Sequence, residues 1–128
     1  MRLLLDTHVL IWWVLDMPKL SEPARAALTD FGNEISVSAA TVWEIATKYR
    51  SGKLPEVESY VHKIPESLGK MGFRELPVSV GHAYRAGMLT AIHKDPFDRL
   101  LIAQAMSENL FLVSNEKLFD GYGVQRLW

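Results

Sequence analysis

Four acidic residues stand far apart in the chain: Asp6, Glu44, Asp98 and Glu116. Brought to one place, they would offer the hard oxygen ligands that magnesium and manganese prefer, in near-octahedral geometry completed by water. Held together without a cation, they would repel one another. A metal bound there can lower the pKa of an attacking water and neutralise charge on a phosphate. The chemistry expected is metal-dependent phosphodiester hydrolysis, and it needs no histidine or cysteine nucleophile.

Each acid also has a purely structural reading. Asp6 closes the run Leu3-Leu4-Leu5 and could cap the helix that follows. An acid ending a buried strand is nevertheless costly unless something binds it. Glu44 precedes Lys48 by four positions, the favourable order for a helical ion pair, and taken alone that pairing is the simpler reading. In Lys94-Asp95-Pro96-Phe97-Asp98, Pro96 suits the first helical position, which makes Asp95 the N-cap. Asp98 then shares a face with the apolar Ile102 and Ala105, which favours function for Asp98 and capping for Asp95. Glu116, after Ser114-Asn115, reads alone as a first-turn acid, with Ser114 and Asn115 able to position ligands. The inference rests on the set.

Other polar side chains add less. His8, His62, His82 and His93 show no zinc-ligand spacing. His8 and His93 neighbour the acids, but a half-buried edge is the commoner setting for histidine. Lys48, Arg50, Lys53, Lys94, Arg99 and Lys117 could supply a phosphate-holding subset of otherwise solvated charges. Trp12 and Trp13 read as core or interface. With Ile11 and Leu15 they offer more apolar surface than a short helix usually buries, which suggests either an interface or simple core packing.

For the acids to meet, the elements must deliver them to one edge. The pattern predicts strands at 2–5, 34–37, 73–77, 110–114 and 124–128. It predicts helices at 8–15, 21–31, 38–51, 56–71, 79–92 and 96–109, and a helical turn at 116–119. Ser21 and Ser38 serve as N-caps, and Gly32, Gly52 and Gly72 as stops. Strands alternating with helices predict an α/β fold with a parallel sheet covered on both faces. Ligands in such sheets bind outside the carboxyl ends of the strands. Asp6 and Glu116 follow strands, while Glu44 and Asp98 lie near helix starts, so all four are expected on one rim.

The 128 residues, 48% hydrophobic and 23% charged, suit one compact domain spanning 1–128. A net charge of −1 excludes a polybasic nucleic-acid binder, so any polyanion must be met by a local patch or a metal. The absence of cysteine excludes thiolate sites. Asp6 and His8 interrupt the apolar N-terminal run, and no small-residue cleavage site follows, so the expectation is a soluble cytoplasmic protein.

Four segments carry a resemblance: Leu-Leu-Leu-Asp6-Thr-His-Val-Leu-Ile-Trp-Trp, Ser-Ala-Ala-Thr-Val-Trp-Glu44-Ile, His-Lys-Asp95-Pro-Phe-Asp98-Arg-Leu-Leu-Ile-Ala-Gln-Ala, and Leu-Val-Ser-Asn-Glu116-Lys-Leu-Phe. In this order they span nearly the whole chain, which resembles a PIN-domain ribonuclease of the VapC toxin type. The resemblance implies a three-layer α/β/α fold with a five-stranded parallel sheet. It implies magnesium- or manganese-dependent endoribonuclease activity on tRNA or other structured RNA, a cognate VapB-like antitoxin and a homodimer. By motif position, Asp6 and Asp98 match the principal metal ligands, and Glu44 and Glu116 the remaining acids. The family usually carries Asp at the last position, where this chain has Glu116.

Rival readings are distinguishable. A receiver domain would want paired acids after the first strand, where Asp6 is alone. A haloacid-type phosphatase would want a second acid at the place His8 occupies. A PIN-like module that binds RNA or protein with little or no cutting is left open by Glu116.

Overall fold

The computed structural model describes residues 1–90 and 94–128. The last residues of the helix expected at 79–92, and His93, lie outside that range in whole or part.

Leu3, Leu4 and Leu5 build β1 (Arg2–Leu5), the central strand, and all three are fully buried. Strand geometry sends alternate side chains to opposite faces. Leu3 and Leu5 join one core cluster with Ile35, Val37 and Val113, while Leu4 joins the other with Leu101, Ile102 and Leu112. Each such leucine contributes roughly 1.5–3 kcal/mol by leaving water. A strand apolar on both sides must be covered on both sides, and it is.

β2 (Glu34–Ser38) and β3 (Arg74–Leu76) extend the sheet on one side of β1; β4 (Phe111–Val113) and β5 (Arg126–Leu127) extend it on the other. The order is β3-β2-β1-β4-β5 and every pairing is parallel. Residues of α1 (Thr7–Val14), α2 (Glu22–Thr29), α3 (Ala39–Arg50) and α5 (Ile64–Lys70) enter the Leu3/Leu5 core. α7 (Pro96–Glu108) packs on the Leu4 side, with α6 (Val80–Met88) against it. These are the three layers expected.

Local signals explain most boundaries. The Ser21 hydroxyl accepts from the Ala24 amide at 3.2 Å and the Ser38 hydroxyl from Ala40 at 3.0 Å, as N-caps should. Gly72 ends α5 at φ +75°, a conformation costly for other residues. The helix expected at 56–71 is instead broken into a 3-10 turn at Pro55–Val57, α4 (Glu58–Val61) and α5. Pro65 cannot donate a backbone hydrogen bond or follow a preceding helical turn comfortably, so α5 starts afresh around it. Gly32 does not stop α2: the helix ends at Thr29, and the Asp30 carboxylate accepts from the Gly32 amide at 2.8 Å in a turn. The segment after β4 is a 3-10 helix at Lys117–Tyr122 with Glu116 outside it as the N-cap. Among the described residues no helix is long and apolar enough to cross a membrane.

Trp12, Trp13 and Leu15 are only partly buried, yet all pack on the main core. Trp12 lies 5.9 Å from Trp128 and 5.8 Å from His8, ring centre to ring centre. Core packing therefore accounts for much of the apolar surface of α1.

Candidate active site

β1 leads to a switch in strand order: the chain proceeds to β2 and β3 on one side, then returns to place β4 on the other. The crevice beyond such a switch is where open α/β sheets bind ligands. Asp6 leaves the end of β1 with its amide still bonded to the Val113 carbonyl at 3.0 Å. Ser114, Asn115 and Glu116 leave the end of β4 beside it. A cleft of about 90 Å³ opens here, lined by Asp6, His8, Glu44, Lys48, Asp95, Asp98, Asn115 and Glu116. The fold thus brings all four expected acids to one place and adds Asp95.

Their surroundings differ. Asp6 is 5% exposed, and burial pushes its carboxyl above the usual carboxylate range, opposed by a 2.7 Å hydrogen bond donated by the Ser114 hydroxyl and by the charge of His8. Ser114, itself fully buried, also accepts from the Glu116 amide at 3.0 Å. It ties the ends of β1 and β4 together. Asp6 begins α1 without its side chain capping it, so the simple capping reading fails.

Glu44 is 3% exposed and both its oxygens are engaged. Thr7 donates to one at 2.6 Å and the Lys48 ammonium to the other. The intrahelical pair expected from sequence therefore forms, but it forms inside the cleft rather than on a solvated face. Burial would lower the Lys48 pKa; its bond to Glu44 and the charges of Glu44, Asp95 and Asp98 outweigh this and raise it.

Asp95 is the N-cap of α7, accepting from the amides of Phe97 at 2.9 Å and Asp98 at 3.2 Å. Asp98, half-buried, projects from the first turn of the helix whose Ile102 and Ala105 lie in the core. Glu116 is exposed, and its carboxylate accepts from the Leu118 amide at 3.3 Å, an N-cap rather than a first-turn acid.

Other expectations are corrected by position. His8 is exposed rather than half-buried and lines the cleft, and His62 is exposed. His82 is buried, with its ring bonded to the Ser79 amide and to Glu108. Arg99 spends one guanidinium nitrogen on the carbonyls of Gly87 and Leu89, at 3.2 and 2.8 Å, and so anchors the end of α6. Of the six basic residues considered, Lys48 is the one that lines the cleft among the described residues. Thr7 was not anticipated at all. Its only sequence signal is adjacency to Asp6.

Hard oxygen donors with a single ammonium among them suit a divalent cation. Among the described residues, no three histidine or acidic side chains are gathered as a ready-made metal cluster. The fit is to an ion that keeps most of its water and takes one or two carboxylates, as magnesium does. Asp6, whose carboxylate accepts from the neutral Ser114 hydroxyl, and Asp98 in the same cleft are the residues suited to hold it.

Relatives agree with this architecture. The PIN domain family profile matches residues 3–124. The chain is 41% identical over 73 residues to Ribonuclease VapC16 of Mycobacterium tuberculosis, covering 54% of this chain and 50% of that protein. It is 27% identical over 117 residues to Ribonuclease VapC22 of the same organism, covering 89% of this chain and 86% of that protein. The chain thus spans half the length of the first of these relatives. Among solved structures, a VapBC2 chain from Rickettsia felis, bound to a promoter DNA fragment, superposes with a TM-score of 0.69 at 19% identity, over 98% of this chain and 97% of that one. A chain of FitAcB from Neisseria gonorrhoeae gives 0.68 at 21%, over 97% and 95%. At those identities the likeness is one of fold.

Proposed function

The chain belongs to the PIN domain family, and on that premise we propose that it is a magnesium- or manganese-dependent endoribonuclease, the toxin of a toxin–antitoxin pair. The observation that carries the reading is Asp6: a buried carboxylate at a strand end, bonded by a neutral hydroxyl, facing Glu44, Asp98 and Glu116 across one small cleft. The names of the two ribonuclease relatives support the same reading.

Bound here, a divalent ion would supply charge neutralisation at the phosphate and a more acidic attacking water. Asp6 and Asp98 are the residues that would hold the ion, directly or through water. Ser114 keeps the Asp6 carboxylate in one orientation, and Thr7 and Lys48 do so for Glu44, which assists coordination or orients the water. Glu116, at the open side, completes the outer set. Solved structures of the same fold, VapBC2 from Rickettsia felis among them, support a VapB-like antitoxin as partner, and a homodimer in the cytoplasm belongs to the same proposal.

A second reading is favoured by one observation: Glu44 already has both oxygens occupied, one by an ammonium. On that reading the chain is a PIN-like module that binds RNA or protein and cuts poorly. Purified protein with manganese and structured RNA, tRNA included, decides between them. Cleavage that chelator stops and Asp6→Asn removes is the expected result. No cleavage, no magnesium or manganese binding by calorimetry and intact RNA binding would leave the module.

A further inference from the structure

Beside the acidic cleft, the residues next to Glu44 and Asp98 in sequence form a feature that metal chemistry does not use. Trp43 is 60% exposed on α3, although tryptophan buries most of its surface in ordinary packing. Its ring meets Phe97, from the first turn of α7, edge to face: 5.1 Å between ring centres and 72° between planes. Lys48, the ammonium bound to Glu44, sits 5.9 Å from the centre of the same Phe97 ring. Acid, cation and aromatic pair therefore form one chain of contacts that begins at the cleft.

Phe97 braces Trp43 by contact with its edge or one face, and the large exposure leaves ring surface open to solvent. A broad protein-binding surface would extend this apolar area over its neighbours. The exposed neighbours on α3 are Ala39, Ala46, Thr47 and Arg50, which are small or polar. An exposed aromatic ring braced by a second ring that an ammonium approaches is instead an arrangement that suits single-stranded nucleic acid, with a base stacked on the exposed ring and the backbone toward the charge.

We propose that Trp43, held by Phe97, is a stacking platform for an unpaired nucleobase of the RNA whose phosphate enters the acidic cleft. The proposal rests on the ribonuclease reading above and adds to it a requirement for a single-stranded nucleotide beside the cut. Trp43 is a binding residue in this account and takes no part in the hydrolysis.

The test uses the full chain with a fluorescein-labelled single-stranded hexaribonucleotide in EDTA, read by anisotropy, and a set of the same hexamers each with one base removed. Trp43→Leu is expected to weaken binding roughly ten-fold, the scale of one lost stacking contact, and Trp43→Phe to retain most of the affinity. Removing the base at one position should weaken binding to the wild type and change nothing in Trp43→Leu, the signature of a coupled pair. With manganese, Trp43→Leu should raise KM by a similar factor and leave kcat alone. An unchanged affinity in Trp43→Leu overturns the proposal, as does a base-removal penalty that persists there. If sedimentation shows that Trp43→Leu splits a wild-type dimer while each chain binds hexamer as before, the ring is a contact between copies and the proposal falls. RNA cleavage by the wild type alongside any of these results leaves the nuclease reading standing; a wild type that neither binds nor cuts RNA removes both.

Discussion

The two walls of the cleft bury a carboxylate equally well and compensate it differently. On the wall made by the ends of β1 and β4, Asp6 is 5% exposed and receives a neutral hydroxyl from Ser114. On the wall made by α3 and α7, Glu44 is 3% exposed and receives an ammonium from Lys48 and a hydroxyl from Thr7. A hydroxyl satisfies hydrogen-bonding capacity but leaves the charge in place, whereas an ammonium answers both. The strand wall therefore calls for a cation from outside, while the helix wall carries its own. Ranking the acids by how their charge is answered separates Asp6 from Glu44, in line with their different motif positions.

Replacing each carboxylate by its amide should break the symmetry most visibly. Asp6→Asn should lower RNA cleavage by roughly a hundred-fold or more, since even outer partners of metal ligands cost about ten- to hundred-fold when lost. It should also abolish manganese binding by calorimetry. Without metal, the same variant should melt higher than the wild type, because the amide can still accept from Ser114 and no buried charge remains. Glu44→Gln should melt lower, because it gives up the negative charge that pairs with the Lys48 ammonium. Differential scanning calorimetry in EDTA reads both, and shifts of the same sign in the two variants would erase the distinction between the walls.

Lys48→Met attacks the helix wall from the other side. It leaves Glu44 buried with Thr7 alone and should cost about 1–3 kcal/mol, less than for a fully buried pair because the ammonium is partly exposed. Urea unfolding measures it. Manganese should now stabilise the variant more than it stabilises the wild type, since both walls would call for a cation. A loss under about 0.5 kcal/mol, the usual scale for surface changes, would mean that the pair is only a surface contact.

The strand wall was largely legible in sequence, and the helix wall was not. Three leucines ending in Asp6 announce a buried strand with a carboxylate at its tip, and alternation of elements fixes which edge of the sheet that tip reaches. Pro96 likewise fixes Asp95 as the cap of α7. The spacing of Glu44 and Lys48 also predicted their pairing, but spacing along one helix says nothing about what that helix faces. Only packing between α3, α1 and α7 decides that the pair is buried beside Thr7 and that Trp43 is exposed. Pro65 shows the converse: a local signal for a break was present, and the helical pattern around it concealed it.

Acidity should sharpen the same contrast on a smaller scale. Burial raises the Asp6 carboxyl from its ordinary value of 3.8, so the folded chain holds that proton more tightly than the unfolded chain. Stability from this group is complete below the ordinary value and is lost as pH rises through the raised one. A cation needs the deprotonated form, so it restores stability only above that range. The shift in melting temperature caused by saturating manganese should therefore be smaller at a pH near the ordinary value of 3.8 than at neutral pH, by a few degrees for each kcal/mol regained. In Asp6→Asn the dependence should flatten. A manganese shift that is the same at both pH values in the wild type would place the cation elsewhere.

The smallest effect is expected at Glu116, where aspartate would shorten the side chain by one methylene. Its carboxylate is exposed and already caps the 3-10 helix at the Leu118 amide. Aspartate is an equally good cap, so Glu116→Asp should leave the melting temperature within about a degree of the wild type. Cleavage should change only a few-fold, because the residue stands at the open side of the cleft, where side chains and water rearrange at little cost. Its effect should also be independent of Lys48→Met, since the two residues share no hydrogen-bond partner. Kinetics on the single and double variants read this directly. A change of a hundred-fold, or strong coupling to Lys48, would make Glu116 an inner ligand and merge the two walls into one site.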